Sequence, residues 1–347
     1  MGWIMKKVLL SILLVLTLLL TGCGKKGESY VINELSKKIE KSTSYYIEGK
    51  MELMNNEDIY EYDVKVSYKK GDYYKVDLTN TKNNHEQVIL RNDEGVYVVT
   101  PSLNKSFKFQ SDWPYNNSQS YLVSSLLEDI KEDTNKIYEE VNDGYVITTK
   151  VNYPNNQKLV NQKIYIDKNI DIKKVEVLDT NNNVQIKMEF NKIDLNSEFK
   201  DDYFKLNTLI TETKEEVKDN KDTKTNEEKT KETAKLEDII YPMYLPSNTY
   251  LTNKEKVDKN DGERMILTFD GDSSFMLIEE TVSMPSEHEI IPTYGELELM
   301  SDSIAVVNDN SVNWISNGVE YYVISDVISK NELLDVARSI SVLPVSK

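Results

Sequence analysis

The sequence predicts an α+β protein: a strongly curved antiparallel half-barrel with covering helices, then a smaller α+β domain after a disordered linker. Three observations carry this expectation. Several segments alternate with period two, as where Tyr60, Tyr62, Val64, Val66 and Tyr68 oppose Glu61, Asp63, Lys65 and Ser67; such strands have one buried and one wet face. Short stretches between them switch to the i, i+3, i+4 spacing of an amphipathic helix. Finally, fifteen of the 25 residues from Thr211 to Lys235 are charged, and only Val217 and Ala234 are apolar. Such a stretch cannot bury enough surface to offset the entropy of ordering it.

The chain opens with Lys6 and Lys7 ahead of an almost unbroken apolar run of 13 residues, Val8 to Leu20. A membrane-spanning helix needs about 20, so the run has the form of a secretory signal. The only cysteine of the 347 residues follows at once, in Leu20-Thr21-Gly22-Cys23. This tetrapeptide resembles the lipobox of bacterial lipoproteins. The resemblance implies a signal peptide at 1–22, cleavage between Gly22 and Cys23, and a diacylglycerol thioether on Cys23 as the membrane anchor. Two acyl chains hold a protein stably where one does not. Residues 23–28 then read as a lipidated, flexible tether.

Loss of Lys6 and Lys7 takes the formal charge from −17 to −19. An acidic surface lacks the basic footprint that nucleic acid requires and argues against wide contact with anionic lipid, so the body is expected to stand off the bilayer on its tether. With one cysteine there is no internal disulfide and no cysteine-based metal site. No metal or cofactor is expected.

The first domain, 29–209, begins with a helix at 29–41 that carries Ile32, Leu35 and Ile39 at helical spacing. In the next segment Tyr45, Ile47, Met51 and Leu53 share one strand face, and residues 59–69 repeat the pattern. Strands follow at 72–78, 86–91, 95–100 and 105–109, joined through Lys70-Gly71-Asp72 and Asn92-Asp93-Glu94-Gly95 turns. A helix at 120–131 aligns Leu122, Leu126 and Ile130. Strands resume at 145–153, 162–167, 172–178 and 184–191. About ten strands are expected, enough for the sheet to curl and take helices on its concave side.

This order of elements, with the first strand SYYIEGKMEL and the ending FNKIDLNSEFKDDYFKLN (190–207), resembles the LolA/LolB/LppX superfamily of lipoprotein carriers. It is more similar still to the sporulation and germination lipoproteins of the YdcC and GerS types. The resemblance implies an apolar ligand between sheet and helices, with Val64, Val66, Tyr97, Val99, Leu122, Leu126 and Ile130 as its lining. It further implies a place on the outer face of the cytoplasmic membrane or in the spore envelope space. A helical stripe of this kind is more often ordinary core, and the 22 tyrosines read as sheet packing ahead of a stacking surface.

Residues 210–235 form the linker and 236–347 the second domain. Asp270-Gly271-Asp272 and Asn317-Gly318 separate strand pairs as hairpin turns. Ser329 and Glu332 match a capping box ahead of Leu333, Val336, Ala337 and Ile340.

Catalytic groups are sparse. The two histidines, His85 and His288, lie in separate polar turns and read as solvated loop residues, and there is no phosphate-binding glycine motif. Carboxylate pairs such as Glu279-Glu280 abound at this composition without a pattern that selects one. The expected function is therefore non-enzymatic: an extracytoplasmic, membrane-anchored protein that binds an apolar ligand or a protein partner, in sporulation or germination. The alternative is a cell-wall (cortex) hydrolase, or a lipoprotein that activates one.

Overall fold

The computed structural model describes residues 26–55, 58–211, 235–236 and 238–340. Gly22, Cys23 and most of the expected linker lie outside them. The first half contributes eleven strands: β1 (Ser44–Asn55), β2 (Asp58–Lys69), β3 (Tyr73–Asn80), β4 (Glu86–Asn92), β5 (Gly95–Thr100), β6 (Lys105–Phe109), β7 (Ile137–Val141), β8 (Gly144–Lys150), β9 (Leu159–Asp167), β10 (Ile172–Asp179) and β11 (Val184–Asp194). They pair antiparallel in the order β6-β5-β4-β3-β2-β1-β11-β10-β9-β8-β7. First and last strands meet at β1·β11, where the register slips between Glu48 and Gly49. A side chain is excluded there, since a Cβ on Gly49 would fall 2.4 Å from the Glu189 carbonyl oxygen. The bulge adds local twist, and the sheet curls into an open half-barrel.

Helices α1 (Glu28–Lys41) and α2 (Val123–Glu132) cover the concave side. In α1 the buried stripe is Val31, Leu35 and Ile39; Ile32, one position on, is only partly buried. Helix α2 starts later than expected, at Val123, and its inward residues include Leu126, Leu127 and Ile130. Strand β7 escaped the sequence reading because four of its five residues are exposed. An edge strand wet on both faces shows no alternation.

The second half holds β12 (Thr249–Lys259), β13 (Gly262–Gly271), β14 (Phe275–Thr281), β15 (Glu289–Thr293), β16 (Glu296–Leu299), β17 (Ile304–Val307), β18 (Ser311–Ser316), β19 (Val319–Ile324) and α3 (Lys330–Arg338). Seven of these strands form an antiparallel sheet, β12-β13-β14-β19-β18-β17-β16. Both expected hairpins are present. At the second, Asn317 (φ 49°) and Gly318 (φ 79°) are both left-handed, as a tight two-residue turn requires. Ser329 Oγ accepts from the Glu332 amide and caps α3. The helix packs Leu333, Leu334 and Val336 against Leu267, Leu277, Val312 and Val323.

The two halves share a core. Strand β15 leaves its own half and pairs parallel with β6, from Glu289↔Lys105 to Thr293↔Phe109, so the half-barrel sheet has twelve strands. Leu297, Ile304 and Val306 join the half-barrel core, while Ala305 and Val307 join the core under α3. The sequence Ile-Ala-Val-Val explains this. All four residues are buried, and a strand apolar on both faces must be covered on both. Hydrogen bonds close the seam: Tyr62 OH donates to Ser301 O (2.9 Å) and the Ile304 amide to Gln87 Oε1 (2.6 Å). Arg338 reaches Glu298 Oε1 at 2.6 Å and donates twice to Asn155 O at 3.2 Å.

Candidate functional site

Five of the seven residues expected to line an apolar site come together. Val64, Val66, Leu122, Leu126 and Ile130 belong to one core, each no more than 1 % exposed. Tyr97 and Val99 do not join them. They lie on the convex side of β5 in a separate cluster with Val88, Leu90, Phe204, Leu206 and Leu209, while Val96 and Val98 face inward. The cause is the segment after β11, which returns across the convex face. Ser67 Oγ lies 3.0 Å from Tyr203 OH, and Asn92 Nδ2 donates to Phe204 O at 3.0 Å. With both faces of β5 buried, its sequence offers no alternation to assign the faces.

Most of the concavity is filled by the protein's own side chains. Tyr45 stacks on Tyr68 (4.7 Å between centroids), Tyr68 lies tilted against Tyr74 (4.9 Å), and Tyr74 meets Trp113 edge-on (5.8 Å). These rings use their apolar bodies as packing. At the seam with the second half lies a cavity of about 120 Å³, bordered by Leu53, Tyr121, Tyr153, Leu297, Glu298 and Arg338. Ligand pockets usually run to about 300–1,000 Å³, so this one suits a few waters. A cleft of about 360 Å³ between α1, α2, β1 and β2 is open to solvent. Its floor is Tyr45, 1 % exposed, and the Lys131–Glu40 ion pair lies at its rim.

Neither histidine is a freely solvated loop residue. His288 Nε2 lies 2.6 Å from Ser106 Oγ, and its Nδ1 lies 3.3 Å from Asn104 Oδ1. This is the spacing of a nucleophile–base–orienter series, but Ser106 is 0 % exposed beneath the β6–β15 pairing, and no substrate carbonyl reaches its hydroxyl. The contacts staple the approach to β15 onto β6. His85 Nε2 is buried without a partner, and burial pulls the imidazole pKa down.

Glu296 and Glu298 meet at Asn155 Nδ2 (2.9 and 3.3 Å), each paired with its own cation, Lys330 and Arg338; Glu279, Glu280 and Asp129 do not converge. Glu279 and Glu280 are neighbours in β14, so they point to opposite faces. Burial pushes Glu279 up to about 7, against the Ile240 amide that donates to its Oε1 at 2.9 Å. Glu280 is pushed up by burial too, but hydrogen bonds from Lys259 and Arg264 outweigh this and hold it low. Asp129, in the half-barrel, is raised by burial to about 6 despite bonds from Ser118 and Gln162. Each is a structural carboxylate in its own setting.

The feature that sequence reasoning missed is on the surface. Tyr241, Met243, Tyr244, Leu245, Tyr250 and Leu251 are all exposed, Met243 by 78 % and Tyr250 by 62 %. Pro242 and Pro246 keep this segment extended. It is nonetheless held in place: the Met243 amide donates to Ser339 O (3.3 Å), and Lys254 Nζ donates to Tyr241 OH (3.1 Å). A run of apolar groups fixed at a surface marks an interaction site more often than scattered ones do. Tyr-Pro-Met-Tyr-Leu-Pro was the available signal, since prolines keep the apolar residues between them out of helix and inner sheet.

Comparison with known proteins adds identity to this geometry. The family model described as "Sporulation protein YdcC-like" matches residues 5–204. Sporulation protein YdcC of Bacillus subtilis (strain 168) is 35 % identical over 344 residues, covering 96 % of this chain and 98 % of that protein. Among solved structures, the CwlD amidase from Clostridioides difficile in complex with the GerS lipoprotein is 17 % identical, covering 51 % of this chain and 98 % of that one, with a TM-score of 0.30. A LolA superfamily protein from Nitrosomonas europaea is 10 % identical, covering 53 % and 100 %, with a TM-score of 0.31.

Proposed function

This chain belongs to the YdcC-like sporulation protein family, and from that premise we propose that it is a lipid-anchored, extracytoplasmic scaffold that binds a protein partner. The observation that carries the choice of partner is the filled concavity. Leu122, Leu126 and Ile130 are each 0 % exposed, and Leu297, Ile304 and Val306 close the space that an acyl chain would need. Native cores are packed to a density of about 0.75, so a lipid would have to displace this core rather than enter it. The fixed apolar segment from Tyr241 to Leu251 is the partner surface in this reading. Anchoring rests on the register of basic residues, apolar run and Leu20-Thr21-Gly22-Cys23, which supports a location outside the cytoplasmic membrane or in the spore envelope.

The test is complementation of a sporulating strain that lacks the gene. A Met243→Asp, Tyr250→Asp chain is expected to reach the membrane at wild-type level, melt normally and fail to restore spore yield. Full restoration would refute the surface. Saturable fatty-acid binding by the wild-type chain, with a melting temperature that rises with ligand, would refute the scaffold reading altogether. Cys23→Ala is expected to free the chain from membranes; its retention at mature size would remove the anchor.

A further inference from the structure

We infer that the protein does not hang from its anchor but rests edge-on against the phospholipid headgroups, with strand β7 and the start of α1 facing the bilayer. This builds on the Cys23 anchor proposed above. The carbonyl of Lys26 accepts a 2.6 Å hydrogen bond from Tyr138 OH, and the Tyr138 ring stacks on Tyr145 of β8 at 5.9 Å. The amides of Tyr30 and Val31 both donate to Gly27 O, and Val31 is 0 % exposed in the core. The chain is therefore tied to the folded body from Lys26 onward, and residues 26–28 of the expected tether belong to that body.

Three residue steps from Cys23 to Lys26 span at most about 11 Å. The headgroup layer on one side of a bilayer is about 5–8 Å thick. A thioether at the glycerol level thus holds Lys26 at or just above the headgroups, and the residues around it with it. Those residues suit that zone. Lys26 Nζ sits over the Tyr30 ring at 5.3 Å, Tyr30 is 46 % exposed, and Ile137, next to Tyr138 in β7, is 58 % exposed. Tyrosine and lysine are favoured at the membrane interface. Glu139 and Glu140 of β7 are exposed and disfavour an anionic surface, so the edge suits a largely zwitterionic one. Strand β7 is one edge of the twelve-stranded sheet and β15 the other. The sheet curls between them, so that Asn155 after β8 bonds Glu296 just past β15 at 2.9 Å. The strand farthest round from β7 is therefore at mid-sheet, β2, six steps away, and it stands farthest from the bilayer.

The experiment uses the full-length chain, lipidated in cells and reconstituted into vesicles of phosphatidylethanolamine with a minority of phosphatidylglycerol and a headgroup-attached quencher. The thioether consumes the only native thiol, so Ile137→Cys in β7 and Ile59→Cys in β2, both exposed, each take one fluorophore. Loss of most of the emission at 137, with emission retained at 59, is the expected result. Equal emission at both positions, or loss at 59 alone, would overturn the orientation while leaving the anchor intact. A wild-type chain that accepts the label on Cys23 would carry a free thiol, and would overturn the anchor and the orientation together.

Discussion

Ile304 offers the sharpest perturbation of this architecture. It belongs by sequence to the second half but is 5 % exposed within the half-barrel core. Ile304→Ala deletes three buried carbons, about 2.4 kcal/mol at roughly 0.8 per group, and the residual cavity brings such changes to about 2–5 kcal/mol. The backbone bond from Ile304 N to Gln87 Oε1 survives the change, so the loss is one of packing. Two tryptophans serve as reporters: Trp113 in the half-barrel core and Trp314 in the core under α3, 1 % and 3 % exposed. Trp3 falls within the proposed signal peptide. In urea, with Trp113→Phe or Trp314→Phe isolating each signal, both are expected to unfold at one midpoint. Ile304→Ala should lower both midpoints together by about 1 M, taking a urea slope of about 3 kcal/mol per molar. Separate midpoints, with only Trp314 responding to Ile304→Ala, would refute the shared core.

Three further outcomes follow from the same packing. Leu126→Trp should cost about 1–3 kcal/mol by overpacking, with no fluorescent fatty acid bound before or after the change. Glu279 has a folded pKa raised to about 7, so its destabilising effect is absent below its unfolded pKa near 4.5 and grows as pH rises through 7; Glu279→Gln should raise the melting temperature at pH 8 and leave it nearly unchanged at pH 4.5, on the order of 2–3 kcal/mol at the high end. Ser106→Ala, which removes the hydroxyl at His288, should cost about 1 kcal/mol and leave spore yield unchanged, whereas abolished function in a folded variant would restore the serine–histidine pair as chemistry.

The sequence by itself determined the elements whose two faces meet different surroundings. Tyr60, Tyr62, Val64 and Val66 alternate with charged residues because one face of β2 meets the core and the other water, and that difference is written residue by residue. It likewise determined the Asn317-Gly318 turn and the Ser329 cap, which depend on neighbours in the chain. Where both faces share one environment the record is blank. Strands β7 and β12 are largely exposed on both faces, and β5 and β17 are buried on both. Only the tertiary structure decided that Tyr97 and Val99 look away from α2, that Ile304 and Val306 fill the half-barrel, and that His288 meets Ser106 across 182 residues. The physical reason is that alternation reports whether a face is buried, while what buries it is set by segments arriving from far along the chain. Those arrivals left most of the concavity filled and the Tyr241–Leu251 segment uncovered.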